Sequence, residues 1–200
     1  MAKAMPLMRQ KLPELFRTIE KLAEGAIRDM PNQLDMNLGA LCLSEVPDSL
    51  LMWAHYGASH SGFALELNAH HSYFHQQRTD KDELRHVRRV LYRDARPAGA
   101  LTDLEGADVF LVKSSHWSYE REWRMFMPLA DADQIVSIPP ARVHLYRIPP
   151  EAIAGVVLGA RASPQLREAV SNVISQNPDL AHVRIRSCKA DEAEFVLRIS

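Results

Sequence analysis

From Leu38 to Ile199 the chain is a succession of short apolar or alternating runs, each closed by a turn signal. That punctuation most limits the folds open to it, because runs this short suit strands and leave little room for long helices. Leu38–Ser44, Phe63–Leu67, Val87–Tyr92, Trp123–Leu129, Val143–Ile148, Ile153–Leu158, His182–Arg186 and Glu194–Ile199 read as strands, ended by Ser61-Gly62, Arg96-Pro97, the acidic turn Asp131–Asp133 and Pro149-Pro150 among others. Helical signals are fewer. Leu7–Met30 repeats Leu12, Leu15, Phe16, Ile19, Leu22, Ala23, Ala26 and Ile27 at three- and four-residue steps. Asp48 or Ser49 can cap a short helix over Leu50–Ala58, Leu101–Val112 reads as helical, and Ser163-Pro164 opens a helix over Gln165–Ser175. Strands outnumbering helices in mixed order predict an α+β fold with a mixed or antiparallel sheet and a few flanking helices.

The length of 200 residues fits one domain, which needs no disulfide or metal to complete its core. The expected organisation is a helical N-terminal segment over 1–37 and an α+β core over 38–200. Hydrophobic content of 46% with 24% charged residues excludes the disordered class. A formal net charge of −1 shows no basic excess of the kind a nucleic-acid-binding protein carries; the arginines Arg85, Arg88, Arg89, Arg93 and Arg96 form either a local basic patch or, the favoured reading, a solvated helix-to-strand edge. Cys42 and Cys188 are too far apart in sequence to indicate a cysteine metal site or a disulfide framework, and Cys42 reads as a small core residue. No apolar run is long enough to span a membrane and no signal peptide opens the chain, so the expected setting is the cytoplasm, with no membrane partner.

Two segments hold the densest mix of aromatic and ionisable side chains, Met52–His60 and Trp117–Arg124. On a helix, Met52, Tyr56 and Ser59 form one stripe and Leu51, His55 and Ala58 another, so that His55 faces either a cleft or the core. His60, just before the Gly62 break, falls where a helix dipole favours an imidazolium. If the second segment is extended, Glu120, Glu122 and Arg124 share one face and Tyr119, Arg121 and Trp123 the other. Two carboxylates so close either repel and suit acid–base work, or form an exposed ladder with Arg124 of small energetic worth. The apolar continuation Met125-Phe126-Met127 weighs toward a buried strand, where a carboxylate pair is costly unless it lines a cleft. Lys113 can bind a phosphate of a dinucleotide, pair with Glu120 or Glu122, or do both. His55, His60, His70, His71 and His75 supply zinc-type donors, without a His-Glu-x-x-His frame, and no metal is expected. Leu158-Gly159-Ala160-Arg161 lacks a glycine-rich continuation and reads as a turn.

The series Cys42-Leu43-Ser44, Leu51-Met52-Trp53-Ala54-His55-Tyr56, His60-Ser61-Gly62-Phe63, Val90-Leu91-Tyr92, Lys113 and Trp117-Ser118-Tyr119-Glu120-Arg121-Glu122-Trp123-Arg124 resembles the bacterial family known as DUF2971, from about Leu41 to Gly159. That family is largely uncharacterised. The resemblance implies an α+β build similar to mono-ADP-ribosyltransferases, in a phage-defence or toxin setting. It implies NAD as cofactor, a nucleotide or small-molecule ligand, and an unknown macromolecular acceptor. By the same resemblance Glu122 matches the catalytic glutamate and Glu120 the one before it, with His55 as a third catalytic candidate. Tyr56, Trp53, Lys113, Tyr119 and Arg124 are the cofactor-binding candidates it implies. The chain departs from the family pattern in one respect. An aromatic-basic-aromatic strand and an Asn-Asp-Pro loop are expected before Leu41, and neither stands there. The resemblance therefore leaves open a non-catalytic binding or regulatory module that retains the same cleft.

Overall fold

The computed structural model describes residues 36–77, 79, 82, 84–95 and 110–200. The helix expected over Leu7–Met30 lies outside them, as does all but the end of the one expected over Leu101–Val112, where Val112 instead opens a strand. In chain order the strands are β1 (Leu38–Ser44), β2 (Phe63–Leu67), β3 (Val87–Arg89), β4 (Leu91–Arg93), β5 (Val112–Ser114), β6 (Glu122–Pro128), β7 (Gln134–Ile138), β8 (Ala141–Leu145), β9 (Ile153–Leu158), β10 (Arg184–Ala190) and β11 (Leu197–Ile199). The α-helices are α1 (Leu50–Tyr56) and α2 (Pro164–Gln176), and single 3-10 turns fill several connections. The fold is α+β, built on mixed and antiparallel sheets that remain open.

The first sheet has the order β1-β6-β3 and is antiparallel throughout. Its central strand, β6, is covered on both faces. Met125 and Met127 turn into a cluster with Phe74 and Ala152, while Phe126 points the other way and packs with Leu111. This is why Met125-Phe126-Met127 is apolar without alternation: a strand covered on both faces selects apolar residues at every position. The second sheet, β11-β10-β9-β2, pairs β9 with β10 in parallel and with β2 antiparallel. Its core cluster unites Trp53, Val157, Cys188 and Leu197. The pairs β4-β5 and β7-β8 complete the described strands.

Helix α1 begins where the side chain of Ser49 accepts the Met52 amide at 3.4 Å. It ends at Gly57, whose missing Cβ leaves room for the Trp53 indole, since a methyl there would stand 2.5 Å from the ring. Ala58, Ser59 and His60 then follow with φ of 49°, 53° and 69°. His60 is thus past the helix in a left-handed turn rather than in its last turn. Its carbonyl accepts the Arg161 amide at 2.9 Å and Gly62 accepts that of Gly159 at 2.9 Å, stitching the turn to the end of β9. The glycine at 159 is required there, because a Cβ would lie 2.2 Å from the His60 carbonyl oxygen.

Candidate functional site

Two buried glutamates need partners, since an unpaired carboxylate in a protein interior is too costly to keep charged. The side chains of Glu120 and Glu122 are 3% and 7% exposed. Local structure brings them together by a route other than a continuous strand. Ser115–Glu120 forms a 3-10 turn, Arg121 takes a left-handed conformation with φ 43°, and only then does β6 begin at Glu122. The expected extended run over Trp117–Arg124 is therefore corrected: a 3-10 turn places Glu120, and β6 places Glu122 and Arg124 on one face. The register aligns Ser44 with Glu122 and Cys42 with Arg124 across β1.

Lys113, on β5, closes the pair. Its ammonium donates to Glu120 Oε2 and, at 3.0 Å, to Glu122 Oε2. Arg124 donates to the other side of Glu122, from Nε to Oε1 at 2.6 Å and from Nη2 to Oε2 at 3.0 Å. A third guanidinium nitrogen, Nη1, reaches the Phe110 carbonyl. Tyr56, from α1, donates its hydroxyl to Glu120 Oε1 at 2.8 Å. The turn itself is held by Ser44 Oγ donating to the Glu120 carbonyl at 2.6 Å, and by the Glu122 amide donating to the Tyr92 hydroxyl at 2.8 Å.

Burial pushes the Glu122 carboxyl up, but hydrogen bonds from Arg124, Lys113 and the Cys42 thiol outweigh it and bring its pKa down from 4.5 to about 2. Glu122 is consequently an anion throughout the physiological range. The Lys113 pKa is pushed down by burial, yet its bonds to Glu120 and Glu122 leave it raised. The bond to Glu120 also raises the Tyr56 phenol. Burial and the neighbouring Glu122 carboxylate raise the Cys42 thiol.

Over this charge cluster stands an aromatic surface. The His55 ring lies 6.5 Å from Trp117 and 6.3 Å from Tyr56, and Trp117 lies 6.0 Å from Tyr119. The Lys113 ammonium sits 5.1 Å from the centre of the Trp117 ring, within cation–π range. Tyr56 and Trp117 are 63% and 40% exposed, so aromatic faces remain open to a ligand.

The structure thus brings Glu120, Glu122, Tyr56, Lys113 and Arg124 into one bonded cluster, with His55 and Tyr119 at its aromatic margin. Trp53 does not join them. Its indole is buried in the second sheet's core and its Nε1 donates to the Pro47 carbonyl at 2.7 Å, so it supports α1 from beneath. Cys42 is corrected in the opposite sense, being exposed on β1 with its thiol against Glu122 rather than lying in the core. Ser44 and Tyr92 were not singled out as site residues. Strand alternation across β1 is the signal that groups Ser44 and Cys42 with Glu122 and Arg124, once β1 and β6 are paired. Among the described residues no group of three or more His, Cys, Asp and Glu stands together to hold a metal ion. His71 and His75 serve local turns, through the Tyr73 amide and the Ala69 carbonyl. No described helix is long and apolar enough to cross a membrane.

No curated protein and no solved structure matches the chain. One family model does match, and the stretch it covers begins at Met52 in α1 and ends at Met125 in β6, so that it takes in both polar-aromatic segments and Lys113 between them. Over residues 52–125 the chain is similar to the family described as "Protein of unknown function (DUF2971)".

Proposed function

We propose that the chain binds a nucleotide-type ligand, with NAD as the first candidate, against the rings of His55, Tyr56, Trp117 and Tyr119, and cleaves its nicotinamide glycosidic bond beside Glu120 and Glu122. The observation that carries this reading is the pair of buried carboxylates joined through Lys113 directly under exposed aromatic rings. Planar bases stack on such rings. In the step itself the bond between the ribose anomeric carbon and the pyridinium nitrogen breaks, and its electron pair leaves with nicotinamide. The ribosyl cation so formed is stabilised by fixed negative charge, then takes the oxygen of water or of an acceptor, which gives up its proton. An ionised Glu122 suits electrostatic stabilisation and not proton donation, because it remains charged down to about pH 2.

Incubation of the purified chain with NAD, followed by chromatography for released nicotinamide and by calorimetry for binding, tests the reading. Glu120→Gln and Tyr56→Phe should each reduce turnover at least tenfold while the folded protein persists. A folded wild-type chain that neither binds nor consumes NAD overturns the proposal.

One observation favours a second reading, a non-catalytic binding or regulatory module. Both oxygens of each glutamate already hold partners, and Lys113 and Arg124 balance the two negative charges. This reading predicts calorimetric binding of NAD or a related nucleotide with no nicotinamide released.

A further inference from the structure

We infer that a second ligand site, for a small zwitterion carrying an amine and a carboxylate or phosphate, lies on the second sheet, apart from the carboxylate pair. A cleft of about 630 Å³ opens there, a size that suits a small molecule. Its lining carries both signs of charge, with Glu66 and Glu151 beside Asn68, and Arg184 and Arg186 beside His182.

The strand register explains how these groups meet. Glu66 on β2, Gly155 on β9 and Arg184 on β10 lie side by side, so an acid and a base flank the central strand. Arg186, two residues along β10 on the same face, reaches across and donates to Glu66 Oε1. The other carboxylate oxygen of Glu66 occupies the space over Gly155, where a Cβ would come within 2.4 Å of it. Gly155 thus makes room for the Glu66 carboxylate. His182 is oriented by the Ile153 carbonyl, 3.0 Å from its Nε2. Arg184, by contrast, has no ion-pair partner among the described residues, although its neighbour Arg186 is satisfied.

An unpaired guanidinium beside a paired one is suited to a carboxylate or phosphate, which a planar fork of donors grips at two points. The acidic side selects against simple anions, which it repels, and in favour of a ligand with a cationic amine at the far end. The two anionic head groups share this chemistry, and the probes below separate them.

The test is a titration of the isotope-labelled full chain followed by amide shifts at Ala154, Gly155 and Arg184. β-Alanine and O-phosphoethanolamine are the zwitterionic probes; acetate and inorganic phosphate are the matched anions. Both zwitterions, or one, should shift these amides saturably and at least tenfold more tightly than the matched anion. Arg184→Gln should weaken that binding about tenfold, the worth of one charge-assisted hydrogen bond. Whichever zwitterion binds more tightly identifies the head group. Absence of a saturable shift with every probe overturns the site. Equal binding of anions and zwitterions overturns the role of the acidic side, and unchanged affinity in Arg184→Gln overturns the placement. Because the carboxylate pair takes no part, none of these results bears on NAD turnover.

Discussion

At the scale of single residues, Glu122 carries the largest consequence. Its carboxylate holds Arg124 by two bonds and Lys113 by one, while those two side chains are 20% and 22% exposed. Removing the charge takes from Arg124 its only carboxylate partner among the described residues and leaves Lys113 with Glu120 alone, which costs about 3 kcal/mol for a buried pair and less as solvent reaches the partners. Glu122→Gln is therefore expected to lower the denaturation midpoint visibly, so its effect on turnover must be read beside its stability. The pH dependence has a fixed sign. The folded carboxyl titrates near 2 and the ordinary one near 4.5, so this contribution is complete above about pH 4.5 and fades as pH falls toward 2. Thermal melts of the wild type should decline across that window, and Glu122→Gln should flatten the decline. If both proteins lose stability in parallel, the pairing is not what holds this corner of the fold.

Among the elements, the turn at Arg121 decides the geometry of the site. A non-glycine residue at φ 43° is strained by roughly 1 kcal/mol, and a branched side chain is tolerated worse. Arg121→Gly is expected to leave stability unchanged or raise it, whereas Arg121→Val should lower it and separate Glu120 from Glu122; chemical denaturation of both variants checks this. The same turn shows where reading the residues alone stops. β1, β2 and β9 run over Leu38–Ser44, Phe63–Leu67 and Ile153–Leu158, the spans their apolar runs indicate; burial accounts for the run in β9, whose last four residues are buried, whereas Phe63 and Leu65 of β2 are exposed. The Ser163 cap of α2 is equally legible, its side chain accepting the Leu166 amide at 3.2 Å. Trp117–Arg124 misleads because aromatic and charged residues alternate as they would in a strand, and arginine gives no local signal for a left-handed turn. β7 is exposed at four of its five positions, and its apolar residues Ile135, Val136 and Ile138 do not alternate as those of a half-buried strand do. Cys42 lies exposed within the apolar run of β1, and such a run does not say which of its members faces outward.

Across the whole molecule, the site depends on contacts between parts that pack separately. Tyr56 comes from α1, whose Trp53 belongs to the second sheet's core, yet its hydroxyl binds Glu120 beside the first sheet. The turn that follows α1 is fixed to β9 through Gly159. Gly159→Ala forces a Cβ against two backbone carbonyls, a strain of about 2 kcal/mol or more. It should lower the denaturation midpoint and also weaken ligand binding at the distant Tyr56, a pairing of effects that calorimetry on the variant can read. The grouping of Glu120, Glu122, Lys113 and Arg124 was partly foreseeable from the residues, but this dependence on a glycine far along the chain belongs to the tertiary structure alone. The burial of the tryptophans has an optical consequence. Trp53 is 5% exposed in an apolar core, Trp117 is 40% exposed at the aromatic surface, and Trp123 is half-buried with its Nε1 on Glu45 at 2.6 Å. The three indoles thus emit from dry, wet and intermediate surroundings, so the protein carries its own colour-coded reporters: iodide extinguishes the red edge of the emission first, and a molecule settling over Lys113 shields that edge while the blue light of Trp53 stays constant.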